Sequence, residues 1–413
     1  MTDRRRWTIL AVGTLSQAAA CSFIYGIPML VPALRSDEHL SLLGASLIVS
    51  APVAGLLLTL IAWGAAADRF GERIVIMSGI GAAALFLGAA ALVHGPVALA
   101  LLLALAGAAG ASVFAASGRV VMGWFPVHER GFAMGTRQTA QPLGVAIAAL
   151  GLPSLARSHG AHVALLFPAA LCALAALAVL LWVTDPPRAP RAPDAPGTAS
   201  PYRGSWHLGR IHLASALLVV PQFAVATFML VYLVGQRHWD PAAAGRLIFG
   251  FQLAGAAGRV VAGVWSDRVG SRLLPMRQLA VASAVLMGML ALGAWLDAVW
   301  IIAGFALGAV ITVADNGLGF VAVAERAGTE WSGRALGVQN TGQNVAAVLT
   351  APLLAAVIGD GRYALGFALV MLFPLLAIPL TPVRAERLAG RPTVQHASSL
   401  RGTAAHHQSG TAS

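Results

Sequence analysis

The pattern GxxxDRxGxR occurs twice in this sequence, once in each half of the chain. The first copy is Gly64–Arg73 and the second is Gly263–Arg272. Each copy lies between two long apolar segments, so each places several charges in a short turn where a hydrophobic helix ends. A repeat at about half of the chain length predicts two homologous halves with the same arrangement of helices.

Composition shows what those helices are. The chain is 58% hydrophobic and only 10% charged, against roughly a quarter charged in soluble domains. Apolar segments of about 20 residues follow one another with short polar breaks, which predicts transmembrane helices in a lipid bilayer. We therefore predict an all-α membrane protein with 12 transmembrane helices in two pseudo-symmetric six-helix bundles, near 8–34, 41–66, 74–93, 97–123, 132–156, 162–183, 209–235, 242–265, 274–296, 299–324, 335–358 and 363–382.

The spacing of these segments divides the chain into four parts. The first bundle covers 1–183 and the second covers 209–383. Between them, 184–208 is rich in Pro, Ala and Arg and too polar to span a membrane, which predicts a flexible cytoplasmic linker. The polar segment 384–413 is predicted to be a disordered cytoplasmic tail.

The positions of the arginines predict the orientation. With the N-terminus in the cytoplasm, most arginines lie on the cytoplasmic side, and those facing outward are only Arg35, Arg157, Arg237, Arg246 and Arg362. This bias obeys the positive-inside rule, so both termini are predicted to be cytoplasmic. The net charge of +11 is then a topology signal, and no nucleic-acid partner is needed to explain it.

A second internal repeat lies at the start of the fifth helix of each half. Ala133–Gln141 aligns with Ala335–Gln343, which contains Asn340. Positions four apart share a helix face, so Arg137 stacks with Gln141, and Gln339 stacks with Gln343. Two equivalent polar faces on otherwise apolar helices predict a wet surface between the halves.

Four charged residues fall inside predicted membrane helices. A rise of about 1.5 Å per residue places Arg137, Arg119, Arg259 and Asp315 roughly 9 to 15 Å inside the membrane. Arg119 and Arg137 either reach the interface or pair structurally, or else face a cavity. Three buried cations against one buried acid favour an anion site, since guanidinium groups bind carboxylates in a bidentate manner.

Two hypotheses remain for Asp315, which either pairs with an arginine or binds and releases a coupling proton. Glu325, beside Arg326, is a second and weaker candidate for the proton. Gly26 and Pro28 predict a local bend in the first helix. Further candidates to line a substrate cavity are polar residues of the first and seventh helices: Gln17, Tyr25, Gln222 and Tyr232.

The paired loops resemble the signature of the major facilitator superfamily (MFS), and the resemblance extends over nearly all of 7–384. It implies two bundles that rock about a central site, with helices 1, 4, 7 and 10 lining the cavity. Helix 5 would meet helix 8, and helix 2 would meet helix 11, so Arg137 and Arg259 would clamp one anion from both halves. The resemblance also assigns gating at the cytoplasmic side to the loop residues Asp68, Arg69, Arg73, Asp267, Arg268 and Arg272.

Two features bear on the branch of the family. Trp124-Phe125-Pro126, followed by Glu129-Arg130-Gly131, resembles anion-handling branches such as nitrate/nitrite, cyanate and organic-anion porters, and Arg259 resembles the substrate arginine of monocarboxylate carriers. Drug/proton antiporters often carry GxxxGPxxGG in helix 5. The matching stretch here, Gly135–Gly144, keeps only a Pro and a Gly, which weakens the exporter hypothesis.

These observations predict a monomeric secondary transporter in the cell membrane that imports a small organic anion, a monocarboxylate, together with protons. A proton-coupled exporter of drugs or metabolites is the alternative, and a transporter-derived sensor is a third hypothesis. An enzyme is disfavoured, because the HExxH pattern begun by His128-Glu129 has Phe at position 132. Neither a metal nor a cofactor is expected.

Overall fold

The computed structural model describes residues 3–186, 200–359 and 361–389. The regular structure of those residues is helical throughout, as predicted. Eleven stretches are long and apolar enough to cross a membrane, and the shorter apolar helix Leu166–Trp182 completes the predicted twelve.

The N half contains eight α-helices that form six spanning units. They are α1 (Asp3–Ile24), α2 (Val31–Asp37), α3 (Leu42–Phe70), α4 (Glu72–Ala90), α5 (Pro96–Trp124), α6 (Arg130–Gln138), α7 (Ala140–Ala164) and α8 (Leu166–Trp182). A 3-10 segment, Ile27–Leu30, joins α1 to α2, and another, Val127–Glu129, precedes α6. The pairs α1–α2 and α6–α7 each form one spanning unit.

The C half repeats this arrangement with α12 and α13 as one spanning unit. Its helices are α9 (His207–Gly235), α10 (Pro241–Val269), α11 (Leu273–Trp295), α12 (Ile301–Ala314), α13 (Asn316–Ala327), α14 (Ser332–Ile358), α15 (Tyr363–Leu380) and α16 (Val383–Ala389).

Local sequence explains where several helices begin and end. The Ser41 hydroxyl accepts a hydrogen bond from the Gly44 amide at 3.1 Å and caps α3, while Asp240 caps α10 through the Ala243 amide at 2.8 Å. The second glycine of each signature loop has a positive φ, +97° at Gly71 and +65° at Gly270. A side chain is strained in that region, so the pattern requires glycine there.

Three spanning units are interrupted near the middle of the bundle. The predicted bend at Gly26 and Pro28 is present as the 3-10 segment between α1 and α2. Thr139 and Asp315 interrupt the stretches 132–156 and 299–324, which the sequence predicted as continuous helices. Interrupted helices within a membrane are tolerated where they line a cavity, and all three breaks adjoin the polar centre described below.

The two halves are joined at one end of the bundle. We call this the signature end, because it carries both GxxxDRxGxR loops and the start of α1. There a single apolar cluster contains residues from both halves, including Leu10, Val121 and Met134 with Leu318 and Leu336. Helix α3 packs on α14, and α10 packs mainly on α6, so the expected pairs 2–11 and 5–8 are present.

Leucines far from this core are exposed on the outside of the bundle. Leu58, Leu85 and Leu150 are more than 70% exposed. Large exposed apolar surface of this kind is expected of helices that face lipid.

The predicted linker and tail need one correction. Residues 187–199 of the linker 184–208 and residues 390–413 of the tail lie outside the described residues. However, α16 occupies the start of the segment predicted as a disordered tail. The reason is a contact that the sequence did not reveal: the Glu386 carboxylate accepts a hydrogen bond from the Arg272 amide at 2.7 Å and caps α11.

Close packing of α3 on α5 yields a stability prediction. A Cβ atom at Gly107 would lie 1.9 Å from the Pro52 carbonyl oxygen, whereas one at Gly250 would meet nothing within 4 Å. Gly107→Ala is therefore expected to destabilise the protein by about 1–3 kcal/mol or more. Gly250→Ala is the matched control and should melt at or slightly above the wild-type temperature, because Ala favours helix. Equal melting temperatures for the two variants would contradict the packing.

Candidate functional site

A cavity between the two halves has a wall rich in amide side chains. Both halves contribute, through α1, α5, α6 and α7 on one side and α9, α13 and α14 on the other. Six residues predicted from the sequence line it: Gln17, Tyr25, Gln141, Gln222, Asn340 and Gln343. The sequence analysis missed Gln138, Asn316 and Asn344, and the remaining lining residues are Phe114, Val219, Phe223, Phe320 and Ala347.

Two hydrogen bonds cross this cavity wall from one half to the other. The Tyr25 hydroxyl donates to Asn344 Oδ1 at 2.8 Å. The Asn340 Nδ2 donates to the Phe114 carbonyl oxygen at 3.2 Å. The halves are therefore in polar contact at mid-depth as well as at the signature end.

Gln141 and Gln343, the repeat-related glutamines, differ from their neighbours in lacking partners. Within the described part of the chain, neither side chain makes a hydrogen bond. Gln343 is only 8% exposed, and its Nε2 is buried and unpartnered. A buried amide without a partner is costly, so these groups are available to a ligand.

Asp315 lies beside the cavity at the break between α12 and α13. Its neighbour Asn316 lines the cavity and donates to Gln222 Oε1 at 2.9 Å. Asp315 itself is 3% exposed, and its Oδ2 has no hydrogen-bond partner in the described residues. It interacts electrostatically with Arg259 without forming an ion pair.

Arg137 is fully enclosed beneath the cavity, and its hydrogen bonds to described residues all go to uncharged groups. Its Nε donates to Ser117 Oγ at 2.7 Å, and its other nitrogens donate to the Phe114 carbonyl oxygen at 3.0 Å and to Gln138 Oε1 at 3.1 Å. Its guanidinium also lies 5.5 Å from the ring centroid of Phe320, across the interface. The charge is solvated by dipoles and a ring face, not by a carboxylate.

Arg259, on α10 of the other half, contacts Gln138 as Arg137 does. One of its terminal nitrogens donates to the Gln138 carbonyl oxygen at 2.6 Å, and its Nε is buried without a partner. Gln138 therefore contacts both arginines, Arg137 through its side chain and Arg259 through its backbone. It also lines the cavity, so it forms the floor that separates the cavity from the two charges.

The structure brings Arg137 and Arg259 together from opposite halves, as the resemblance implied. Among residues 3–186, 200–359 and 361–389, neither guanidinium has a carboxylate oxygen within 4.0 Å. The approach is close because small residues separate the helices: a Cβ at Gly135 would lie 2.5 Å from the Arg259 carbonyl oxygen.

Two residues predicted to bind the substrate lie elsewhere. Arg119 does not line the cavity, since it pairs with Asp68 and with Glu72 Oε1 at 2.6 Å near the signature end. Tyr232 packs among the rings of Phe305 and Tyr363. These positions remove Arg119 and Tyr232 from the set of residues that contact the cavity.

Glu325, the weaker candidate for the proton, lies near two arginines. Its carboxylate lies 3.4 Å from Arg130 and 3.5 Å from Arg272 at the signature end.

Each signature aspartate caps a helix of the opposite half. Asp68 accepts hydrogen bonds from the Gly333 and Arg334 amides at the start of α14, at 2.8 and 3.0 Å. Asp267 accepts from the Gly131 and Phe132 amides at the start of α6, at 2.9 and 2.8 Å. A carboxylate is stabilised at a helix N-terminus by the free amides and the helix dipole.

The remaining loop residues reinforce these caps unequally. Arg272 pairs with Asp267 at 2.6 Å, and Arg73 donates to the Leu180 carbonyl oxygen at 2.6 Å. Arg69 is exposed and stacks on Phe70, and Arg268 is exposed. The contacts thus support a latching arrangement for Asp68, Asp267 and Arg272 most directly.

Comparison with known proteins identifies the same architecture. Residues 10–351 match the family model of the Major Facilitator Superfamily. Two relatives, uncharacterized MFS-type transporters of Mycobacterium tuberculosis strains CDC 1551 / Oshkosh and ATCC 25618 / H37Rv, are each 46% identical over 384 residues, which is 92% of this chain and 85% of theirs.

Solved structures agree in fold. FucP, an MFS transporter in the outward conformation, aligns with a TM-score of 0.67 and 17% identity over 89% of this chain and 98% of that chain. The human organic anion transporter MFSD10 (TETRAN) aligns with a TM-score of 0.67 and 17% identity over 92% of this chain and 100% of that chain.

The caps lead to a prediction about access. Asp68→Asn removes the charge that holds α14 of the opposite half, so the cavity should become more accessible from the signature end. We expect a reporter cysteine at Ala347, which lines the cavity, to react several-fold faster with a membrane-impermeant maleimide in vesicles that expose that end. Both native cysteines are fully buried, so the background should be low.

Asp185→Asn is the matched control for this experiment. Asp185 caps the Glu72 and Arg73 amides at 2.8 Å, but within its own half. Its variant should lower the melting temperature without changing the labelling rate. Equal acceleration by both variants would show that Asp68 does not act as a latch between the halves.

Proposed function

The chain belongs to the major facilitator superfamily, and from this membership and the polar centre we propose that it imports a small organic anion, a monocarboxylate, in symport with protons. Members of the family are secondary transporters in a membrane, so the protein is a multi-pass transporter. The proposal adds the charge of the substrate, the coupling ion and the residues that bind them.

The pair of buried arginines carries the proposal. Arg137 is 1% exposed and Arg259 is 6% exposed, and the described hydrogen bonds of both go to neutral groups. Charged side chains at membrane depth are costly unless they pair or serve a ligand. Two guanidinium groups from opposite halves, with no carboxylate between them in the described residues, favour an anion as the missing partner.

Gln138 explains how an anion in the cavity would reach these charges. Its Oε1 accepts the hydrogen bond from Arg137 and is a neutral oxygen. A substrate carboxylate that replaces this oxygen forms a charge-assisted hydrogen bond, which is roughly twice as strong as a neutral one. The anion would then lie between the halves, with Arg137 on one side and Arg259 on the other.

Asp315 supplies a physical reason for symport. Its buried carboxyl has an oxygen without a hydrogen-bond partner among the described residues and interacts electrostatically with Arg259. A proton on Asp315 removes a negative charge near the arginines and so strengthens anion binding. Linkage makes this reciprocal, so that a bound anion favours the protonated carboxyl, and the two solutes would move together.

The direction and setting of transport follow the charge distribution. The arginine bias of the loops favours a cytoplasmic location for the signature end and both termini, in a protein of the cell membrane. In this arrangement the cytoplasmic end is latched by the caps, so a substrate would enter from outside. The small polar cavity lies within one chain, which is consistent with a functional monomer.

Removal of the Arg259 charge tests the anion site. Arg259→Ala should weaken anion binding by about 30-fold or more, since truncating one partner of a buried charge pair costs roughly 2–5 kcal/mol. Thermal melting of the purified protein with short monocarboxylates, dicarboxylates, nitrate, cyanate and lipophilic cations measures this, because a ligand at 100 times its Kd stabilises by about 2.7 kcal/mol.

Arg246→Ala is the matched control, because Arg246 is on the same helix but exposed. It should keep the melting shift and the uptake of the wild type. Anion-induced shifts that survive in Arg259→Ala would refute the clamp. Shifts with lipophilic cations alone would favour a proton-coupled exporter of drugs or metabolites.

Asp315→Asn separates transport from proton coupling. The variant keeps the shape of the side chain but cannot carry a proton, so anion exchange down a gradient should continue at a rate within a few-fold of the wild type. Accumulation driven by a pH gradient should be lost. Both activities are measured in proteoliposomes, and a parallel loss of exchange and accumulation would mean that Asp315 has only a structural role.

A further inference from the structure

The cavity holds far more hydrogen-bonding capacity than a carboxylate needs. The two arginines suffice to bind the charged group of a short acid. Yet the wall above the floor carries seven further amide side chains and one phenol, which are Gln17, Gln141, Gln222, Asn316, Asn340, Gln343, Asn344 and Tyr25. Some of these amides hydrogen bond to each other or to the backbone, but two do not.

Gln141 and Gln343 are those two, and their positions are equivalent. The internal repeat places one on α7 and the other on α14, so each half contributes one glutamine to the same cavity. Neither makes a side-chain hydrogen bond to any residue that the structure describes. Gln343 is more than nine-tenths buried with its Nε2 unpartnered, so desolvation of this amide is not compensated within the protein.

The chemistry of an amide defines what these glutamines bind. Each has a carbonyl oxygen that accepts and a nitrogen that donates two hydrogen bonds. A hydroxyl group matches both, because it donates and accepts, whereas a methylene group leaves the amides unsatisfied. A second charged group is not favoured, since the described cations near the cavity are the two beneath its floor.

Aromatic residues fit the same ligand. Phe114, Phe223 and Phe320 line the cavity between the amides. A carbon chain that bears hydroxyl groups presents C–H faces to such rings and its oxygens to the amides. An unsubstituted aliphatic acid would instead place its chain against a mostly polar wall and displace water from it at a cost.

We infer that the transported anion is a hydroxylated carboxylate, with its carboxylate at the arginine floor and its hydroxyl groups bound by Gln141 and Gln343. This inference rests on the proposed function for the charged end of the ligand. It adds the substrate class and assigns substrate selectivity to the repeat-related glutamines.

Three six-carbon probes test it on the full-length protein in detergent: gluconate, hexanoate and glucose. Gluconate should bind at least about tenfold more tightly than hexanoate, because a site built to hydrogen bond rejects an analogue that lacks the hydroxyl groups. Binding is measured by thermal melting across a concentration series for each probe. Glucose, which has the hydroxyl groups without the charge, should bind much more weakly than gluconate.

The double variant Gln141→Leu/Gln343→Leu assigns the preference to these residues. It should weaken gluconate binding about tenfold while leaving hexanoate within about threefold. Gln252→Leu, an exposed glutamine on α10, is the matched control and should change neither. Unaltered hexanoate binding in the double variant would also show that the protein is folded.

The outcomes separate this inference from the proposed function. Hexanoate that binds as tightly as gluconate, with both lost in Arg259→Ala, would overturn the inference and leave the anion transporter standing. Glucose that binds as tightly as gluconate, unaffected by Arg259→Ala, would overturn the anion site itself. A gluconate preference that persists in the double variant would overturn the role of the two glutamines.

Discussion

Each signature aspartate contacts the first amides of a helix in the opposite half, and these contacts join the two halves at the signature end. Asp68 caps α14 and Asp267 caps α6, so the twofold repeat of the sequence becomes a twofold repeat of caps. Glycine permits it: a Cβ at Gly333 would lie 2.3 Å from the Gly64 carbonyl oxygen, and one at Gly263 would lie 2.1 Å from that of Gly131. The helices approach closely enough for a short acidic side chain to reach across.

The low-dielectric environment that strengthens these caps also makes a buried charge without an ion-pair partner costly, so such charges point to a function. At the signature end, arginines form ion pairs with acidic residues, Arg119 with Glu72 and Arg272 with Glu325. At mid-depth the pairing stops, and the described contacts of Arg137 and Arg259 are to neutral groups. This difference between the two levels is the reason for the proposal that the arginines at mid-depth bind a ligand.

Sequence predicted the fold more fully than the site, for a physical reason. Apolar runs and a repeated loop report helix length and symmetry directly, so the twelve helices were predictable, whereas the 2–11 and 5–8 contacts were expected only from the resemblance to the family. The partner of a buried arginine depends on how its helix is rotated and where it crosses its neighbours, and neither can be read from the residue itself. Thus Arg119 and Arg137, both predicted inside the membrane, have different partners. Gln138 was missed, although it lies within the repeat, because its contacts arise only where two helices meet.

Helix α6 links the two levels of the structure. Its first amides, at Gly131 and Phe132, bind Asp267, and its last residues, Arg137 and Gln138, form the cavity floor. Because α6 has only nine residues and no break within it, a shift at one end of the helix moves the other end as well. Arg259 binds the Gln138 carbonyl oxygen from the opposite half. Under the proposed function, a carboxylate that displaces the Gln138 side chain would therefore act on the helix whose other end is capped by Asp267. Under the proposed function, substrate binding and opening would therefore involve the same nine residues, as alternating access requires.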